Sequence, residues 1–244
     1  MVKHLLADFA KFEEELSREH YLHSSGQKDD LQSAQIYKKF KHLFSREHIA
    51  EAQKDVGTKE GRMLYDAFVG SFIGNQVKKI SDKAQSFEAS ATVSVDGKEI
   101  PFRHVSSLLV NEDVREKRKA LYDSTKPVKR KLTSFEKRLW KKDYVLLKEL
   151  TGKNYVDYVS WTKGVDYDTL AGQLRDFLVK TENLHKKQLA KNMGSINVKA
   201  SDARPYDYAY YARAKPFDAF FKKEKLVEIA KTFWKDLGIC YFGC

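Results

Sequence analysis

Apolar residues recur every three or four positions along nearly the whole of this 244-residue chain. That spacing lines side chains up on one face of an α-helix, and it constrains the fold more than any other feature. Leu5, Phe9, Phe12 and Leu16 make the first stripe, predicting an amphipathic helix that ends near His20 and is closed by Ser24-Ser25-Gly26. Leu31, Ala34, Tyr37, Phe40 and Phe44 predict a second helix that continues toward Ala52, with Asp29 or Asp30 as its cap. A third follows Gly57 and runs to about Phe87 on Ile73, Val77, Ile80, Ala84 and Phe87. Gly70 and Gly74 on that helix are places where another helix can approach closely.

The period changes once. Ala91, Val93 and Val95 alternate with polar residues, Asp96-Gly97 follows, and Lys98-Glu99-Ile100-Pro101-Phe102 leads away, which is the pattern of a β-hairpin with an Asp-Gly turn. Helical spacing then resumes. Asn111 is positioned to cap a helix through Leu121, and Pro127 punctuates the chain before a helix on Leu132, Phe135, Leu139, Leu146 and Leu150 that stops at Gly152. A short segment from Tyr155 to Trp161 ends at Gly164. Asp166 or Asp168 opens a helix whose stripe is Leu170, Leu174, Phe177, Thr181 and Leu184, running to Met193-Gly194. Residues 195–201 read as a linker, and Leu226, Ile229, Phe233 and Leu237 mark a last helix closed by Gly238. The expected fold class is all-α, a multi-helix bundle with one β-hairpin near residues 89–102. Residues 1–88 form an N-terminal helical segment and 89–244 a second helical region, or the two make one continuous domain.

A composition of 42% hydrophobic residues, with four prolines and twelve glycines, excludes a disordered tail. No apolar run approaches the roughly 20 residues that a bilayer span needs; the nearest, Met63 to Ile73, is broken by Asp66, Gly70 and Ser71. Asp8 interrupts the apolar run at the start, so a secretory signal is not expected. Cys240 and Cys244 give neither a disulfide framework nor a zinc-ribbon spacing. The expected setting is the reducing cytoplasm, with no membrane partner.

No complete catalytic motif is present. His-Glu-x-x-His, which projects two imidazoles from one helical face beside a water-activating glutamate, is absent, and His42 with His48 lie six apart. The chain also lacks a phosphate-binding Gly-x-x-x-x-Gly-Lys-Ser/Thr loop, a dinucleotide Gly-x-Gly-x-x-Gly and a Gly-x-Ser-x-Gly elbow. No metal ligand or cofactor site is expected within the chain, and the seven histidines read as solvated or core-edge residues.

Charge singles out one stretch. Between Arg115 and Lys142 there are twelve lysines and arginines against three acids, which places nine of the eleven excess positive charges there. Lys129, Arg130, Lys131, Lys137 and Arg138 could lie along one helix and attract the phosphates of a nucleic acid with strong salt dependence. The plainer reading is a solvated face, because recurring Leu and Phe give the same helix a buried side. A dense aromatic run, Pro205-Tyr206-Asp207-Tyr208-Ala209-Tyr210-Tyr211, is either helix-packing material or the lining of a cleft whose hydroxyls bond peptide carbonyls.

Taken in order, the segments 93–100, 111–118 (Asn-Glu-Asp-Val-Arg-Glu-Lys-Arg), 148–155 (Lys-Glu-Leu-Thr-Gly-Lys-Asn-Tyr), 205–211 and Asp236-Leu237-Gly238-Ile239 resemble the region upstream of the active site in oligoendopeptidase F and thimet-oligopeptidase-like zinc metallopeptidases. The likeness spans about residues 85–239, with Pro205-Tyr206-Asp207 where that family often has Pro-Trp-Asp. It implies a helical wall of a deep peptide channel, with Tyr208, Tyr210 and Tyr211 as cleft candidates and short peptides as ligands. The zinc of a complete family member would come from a separate catalytic segment carrying His-Glu-x-x-His, so this chain is expected to be a truncated or split part. The alternatives are a stand-alone peptide-binding scaffold and a basic nucleic-acid binder acting through residues 115–142.

Overall fold

The computed structural model describes residues 5–239. The first apolar stripe forms α1 (Leu6–Ser24), one turn longer than its spacing predicts. The second does not make one helix. It is cut into α2 (Ser33–Lys39), a 3-10 turn at 41–43 and α3 (Arg46–Ala52), because Ser45 adopts an extended backbone and its hydroxyl accepts the His48 N–H at 3.2 Å. That is an N-cap in the middle of an apparently continuous stripe. Neither Asp29 nor Asp30 caps α2. Asp82 of the long helix α4 (Lys59–Ser90) does so from 48 residues away, accepting the Ala34 N–H at 3.0 Å and the Ser33 hydroxyl.

Thr58 caps α4, accepting the Gly61 N–H at 3.0 Å. At 32 residues α4 is about 48 Å long and is the element against which α2, α3, α7 (Lys126–Thr151) and α8 (Tyr155–Lys163) pack. Two of its glycines are close approaches. A Cβ at Gly61 would lie 1.8 Å from the Asp55 carbonyl oxygen, and one at Gly74 would lie 2.4 Å from the Tyr37 hydroxyl. Gly70 faces open space instead, so it is not a helix-packing position.

The hairpin is present as β1 (Thr92–Val95) and β2 (Lys98–Pro101), antiparallel, with Thr92 opposite Pro101 and Val95 opposite Lys98. Asp96 and Gly97 both take positive φ, 52° and 75°, as a two-residue hairpin of the twisted type requires. The helix that follows, α5 (Phe102–Asn111), ends at Asn111 rather than starting there, and α6 (Arg115–Ser124) begins after a break in which Glu112 accepts the Val114 N–H at 2.8 Å. Pro127 sits in the first turn of α7, where its missing N–H costs nothing. Gly152 and Gly164 close α7 and α8 in the left-handed region, at φ 72° and 66°. Asp166 opens α9 (Tyr167–Gly194), accepting the N–H groups of Asp168 and Thr169 at 3.0 and 3.1 Å. The Pro205–Ala212 run forms α10, and Leu226–Asp236 forms α11. The chain is thus all-α with one β-hairpin among the described residues, as the periodicity predicts. None of the described helices is long and apolar enough to cross a membrane.

The chain divides into two compact units, one of residues up to Val105 with Asp123–Glu182, the other of Ser106–Tyr122 with the residues from Asn183 onward. The core of unit 1 is aromatic. Phe12 has no exposed surface, and its ring meets those of Tyr37, Phe40 and Phe44 edge-on at 5.1, 5.8 and 5.0 Å. Tyr65, Phe68 and Val69 of α4 extend the same cluster to Leu147 of α7 and Tyr158 of α8. Unit 2 buries Leu109, Leu121, Met193, Val198 and Tyr206, and with them a charged group, described next.

Candidate functional site

Unit 2 is built around Asp207, a fully buried carboxylate at the third position of α10. Pro205 pre-sets the helical φ, and Asp207 folds back to accept the Arg204 N–H at 3.0 Å, satisfying a backbone donor at the start of the helix. Its two oxygens then receive the fork of Arg115, Nε to Oδ1 and Nη2 to Oδ2, both at 3.0 Å, and Arg118 Nη2 at 3.3 Å. Arg118 is itself only 2% exposed and donates to the Glu112 and Asp113 carbonyls at 3.1 and 2.9 Å. Arg115 also reaches the Asp202 carbonyl at 2.7 Å. Burial would raise the Asp207 carboxyl, but the bonds from Arg115, the Arg204 amide and Arg118 together outweigh it and hold the group below the usual carboxylate range.

Aromatic rings close the network. The Arg118 guanidinium lies 4.2 Å from the centre of the Tyr210 ring and that of Arg115 5.8 Å from Tyr206, whose ring packs 5.6 Å from Tyr122. The Tyr210 hydroxyl donates to Asp113 at 2.9 Å, beside the Lys215 ammonium at 2.8 Å. Those two bonds, from Lys215 first, lower the Asp113 carboxyl, and the bond to Asp113 raises the Tyr210 phenol.

The three tyrosines offered as cleft candidates therefore differ. Tyr210 spends its hydroxyl on Asp113, Tyr211 is half-buried, and Tyr208 is 45% exposed to solvent. What sequence reasoning did not assemble is the set Asp113, Arg115, Arg118 and Asp207, whose members are up to 94 positions apart. Segments 111–118 and 205–211 each stand out in the sequence, and the structure joins them in one polar knot.

The basic stretch is divided. Arg115 and Arg118 belong to the knot, Lys126 pairs with Asp123 at 2.7 Å, and Lys142 donates to the Gln76 carbonyl. Lys129, Arg130, Lys131, Lys137 and Arg138 are exposed on α7, where Lys126, Lys129, Arg130 and Lys137 surround a shallow hollow with Thr133 and Ser134. His42 faces Asp8 at 3.1 Å, and among the described residues no three His, Cys, Asp or Glu side chains converge as a metal site would require. The donor set for zinc is thus not found in the described part of the chain; Cys240 and Cys244 lie outside it.

Unit 2 also displays apolar surface. Phe233 on α11 and Leu237 just after it are each 56% exposed, and Leu226, Val227 and Ile229 on the same helix are exposed as well. Phe217, Phe220 and Phe221, just before α11, are likewise in solvent. Four of them, Leu226, Ile229, Phe233 and Leu237, recur at helical spacing on one side, unlike singly scattered apolar residues, which are ordinary surface.

Compared with models of known protein families, with characterised proteins and with solved structures, the chain matches none.

Proposed function

We propose that this chain is the peptide-confining, non-catalytic part of a zinc metalloendopeptidase of the oligopeptidase type, acting with a separate segment that supplies the metal and the attacking water. The carrying observation is the apolar surface of α11 and the turns before it, which a short peptide or a catalytic segment would cover. The knot that joins residues 111–118 to 205–211 supports the reading, since it gives two of the five segments that carry the family resemblance a common structural task. The same apolar surface disfavours a stand-alone scaffold, which would be expected to bury it.

The purified chain is expected to bind short apolar peptides saturably, to hold no stoichiometric zinc and to cleave nothing. Peptidase activity together with one equivalent of zinc by elemental analysis would overturn the proposal.

A second reading, phosphate binding by α7, is favoured by the exposure of Lys129, Arg130, Lys131, Lys137 and Arg138 on that helix. It predicts nucleic-acid affinity that falls steeply with salt and drops on the order of a hundredfold in a K129E/R130E/K131E variant, three neutralised phosphate contacts being lost. Unchanged affinity in a salt titration would sink this reading and leave the first untouched.

A further inference from the structure

A second concentration of positive charge forms in unit 1, outside the basic stretch, where α2 lies against α4. Lys38, Lys41, Lys78 and Lys79 line a hollow of about 500 Å³ there, together with Gln35 and Asn75. The lysines come from two separate segments of the chain, so no count along the sequence gathers them. None of the described residues that line the hollow is acidic.

Lysines scattered over a surface are ordinary. These differ because one of them is fixed in place without a compensating charge. Lys78 is half-buried, lies 5.5 Å from the centre of the Tyr37 ring, and donates to the Asn75 carbonyl at 2.7 Å and to the Asn75 side-chain oxygen. Asp82, whose field favours that ammonium, spends its oxygens on the Ser33 hydroxyl and the Ala34 N–H. Lys142, held on the Gln76 carbonyl, adds another cation nearby. Burial first, then Lys79 and Lys142, hold the Lys78 ammonium below the usual lysine range in spite of Asp82.

The chemistry of the lining selects the anion. An ammonium is a point charge with three donors and suits phosphate oxygens, whereas a planar carboxylate is matched by the guanidinium fork, which the described lining lacks. At about −1.5 to −2 per phosphate group, balancing four ammoniums takes at least two such groups. The volume suits a small molecule. The Tyr37 ring, which also lines the hollow, already carries the Lys78 ammonium, so it offers no stacking platform for a base.

We propose that this hollow binds a compact ligand carrying two or more phosphate groups, recognised through its charge. Clustered phosphates of this kind occur on soluble polyphosphorylated molecules and on multiply phosphorylated lipid headgroups. The site does not rest on the oligopeptidase reading, and it uses none of the cations assigned to phosphate binding by α7.

Inorganic tripolyphosphate and inositol hexakisphosphate would be titrated into the full chain by calorimetry near physiological salt, with orthophosphate and citrate as controls and thermal melts in parallel. Both polyphosphates are expected to bind and to raise the melting temperature, and both controls to bind at least about tenfold more weakly. Co-sedimentation with phosphatidylcholine vesicles containing phosphatidylinositol bisphosphate separates the sources. Pelleting that tripolyphosphate reverses would assign the site to a lipid headgroup, and calorimetric binding without pelleting would assign it to a soluble ligand. Lys38→Gln with Lys79→Gln, both at exposed positions, should melt like the parent without ligand and lose affinity on the order of tenfold or more, since hydrogen bonds to charged groups are the strong ones even when solvent screens them. Lys78→Met, which keeps the apolar stem, should lose the ligand-induced rise in melting temperature. The K129E/R130E/K131E variant should bind tripolyphosphate as the parent does. Citrate or orthophosphate binding as tightly as tripolyphosphate, full affinity in the folded Lys38→Gln/Lys79→Gln protein, loss of affinity in the α7 variant, displacement of tripolyphosphate by lower concentrations of an oligonucleotide, or no binding of either polyphosphate would overturn the proposal.

Discussion

Asp207→Asn is expected to destabilise unit 2 by about 3–5 kcal/mol, the cost typical of removing one partner from a buried ion pair. The substitution keeps the side-chain volume, so the loss is electrostatic. The variant leaves Arg118, 2% exposed, with its guanidinium facing an amide that cannot neutralise it, while Arg115, more than a third exposed, falls back on solvent and on the Asp202 carbonyl. Hydrogen exchange should locate the damage, with protection lost across α10 and the start of α6 but kept in the α1–α4 core. A double variant, Arg118→Met with Asp207→Asn, should recover part of the loss, because it no longer buries an unpaired charge.

The same group fixes a pH dependence. The Asp207 carboxyl lies below its value in the unfolded chain, about 3.9. Its contribution is therefore complete above that value and is lost as the pH falls through the lower, folded one. Acid unfolding of unit 2 in the parent should show this limb, and the unfolding free energy of Asp207→Asn should change less below about pH 5. An unchanged acid limb, or a variant as stable as the parent, would refute the role given to the carboxylate.

Phe12→Ala is expected to cost about 3–5 kcal/mol, the range for deleting a buried aromatic ring from a core that cannot collapse around the gap. The site is a stringent one, since the ring is fully buried and three neighbouring rings meet it edge-on, contacts that add to simple burial. Phe12→Leu, which fills most of the space, should cost clearly less. The control is Phe177→Ala on α9: that ring is 61% exposed, so urea unfolding should shift by no more than about 0.5 kcal/mol. Equal losses at Phe12 and Phe177 would contradict the core assignment.

These two phenylalanines show how far the sequence could be read. Each sits on a stripe of three- and four-residue spacing, and that spacing identified the helices correctly. Which stripe is buried depends on whether another apolar face arrives to cover it, and no local pattern carries that information. α2 and α3 make the same point in reverse. Their stripe is continuous in sequence, yet a serine hydroxyl and an aspartate from α4 cap two separate helices within it. Tyr210 was legible as an aromatic in a cluster, but its occupation by Asp113 was not.

By itself the sequence determined the local structure: helices from apolar spacing, their ends from Gly152, Gly164 and Asp166, and the single hairpin from the change to a period of two around Asp96-Gly97. These are decided by contacts within a few residues, and the chain states them directly. Tertiary structure alone decided that Arg115 and Arg118 neutralise Asp207 rather than join a basic face, and that α11 keeps its apolar side in solvent. A charge or an apolar side chain acquires its energy from what surrounds it, and here those surroundings come from residues up to 92 positions apart.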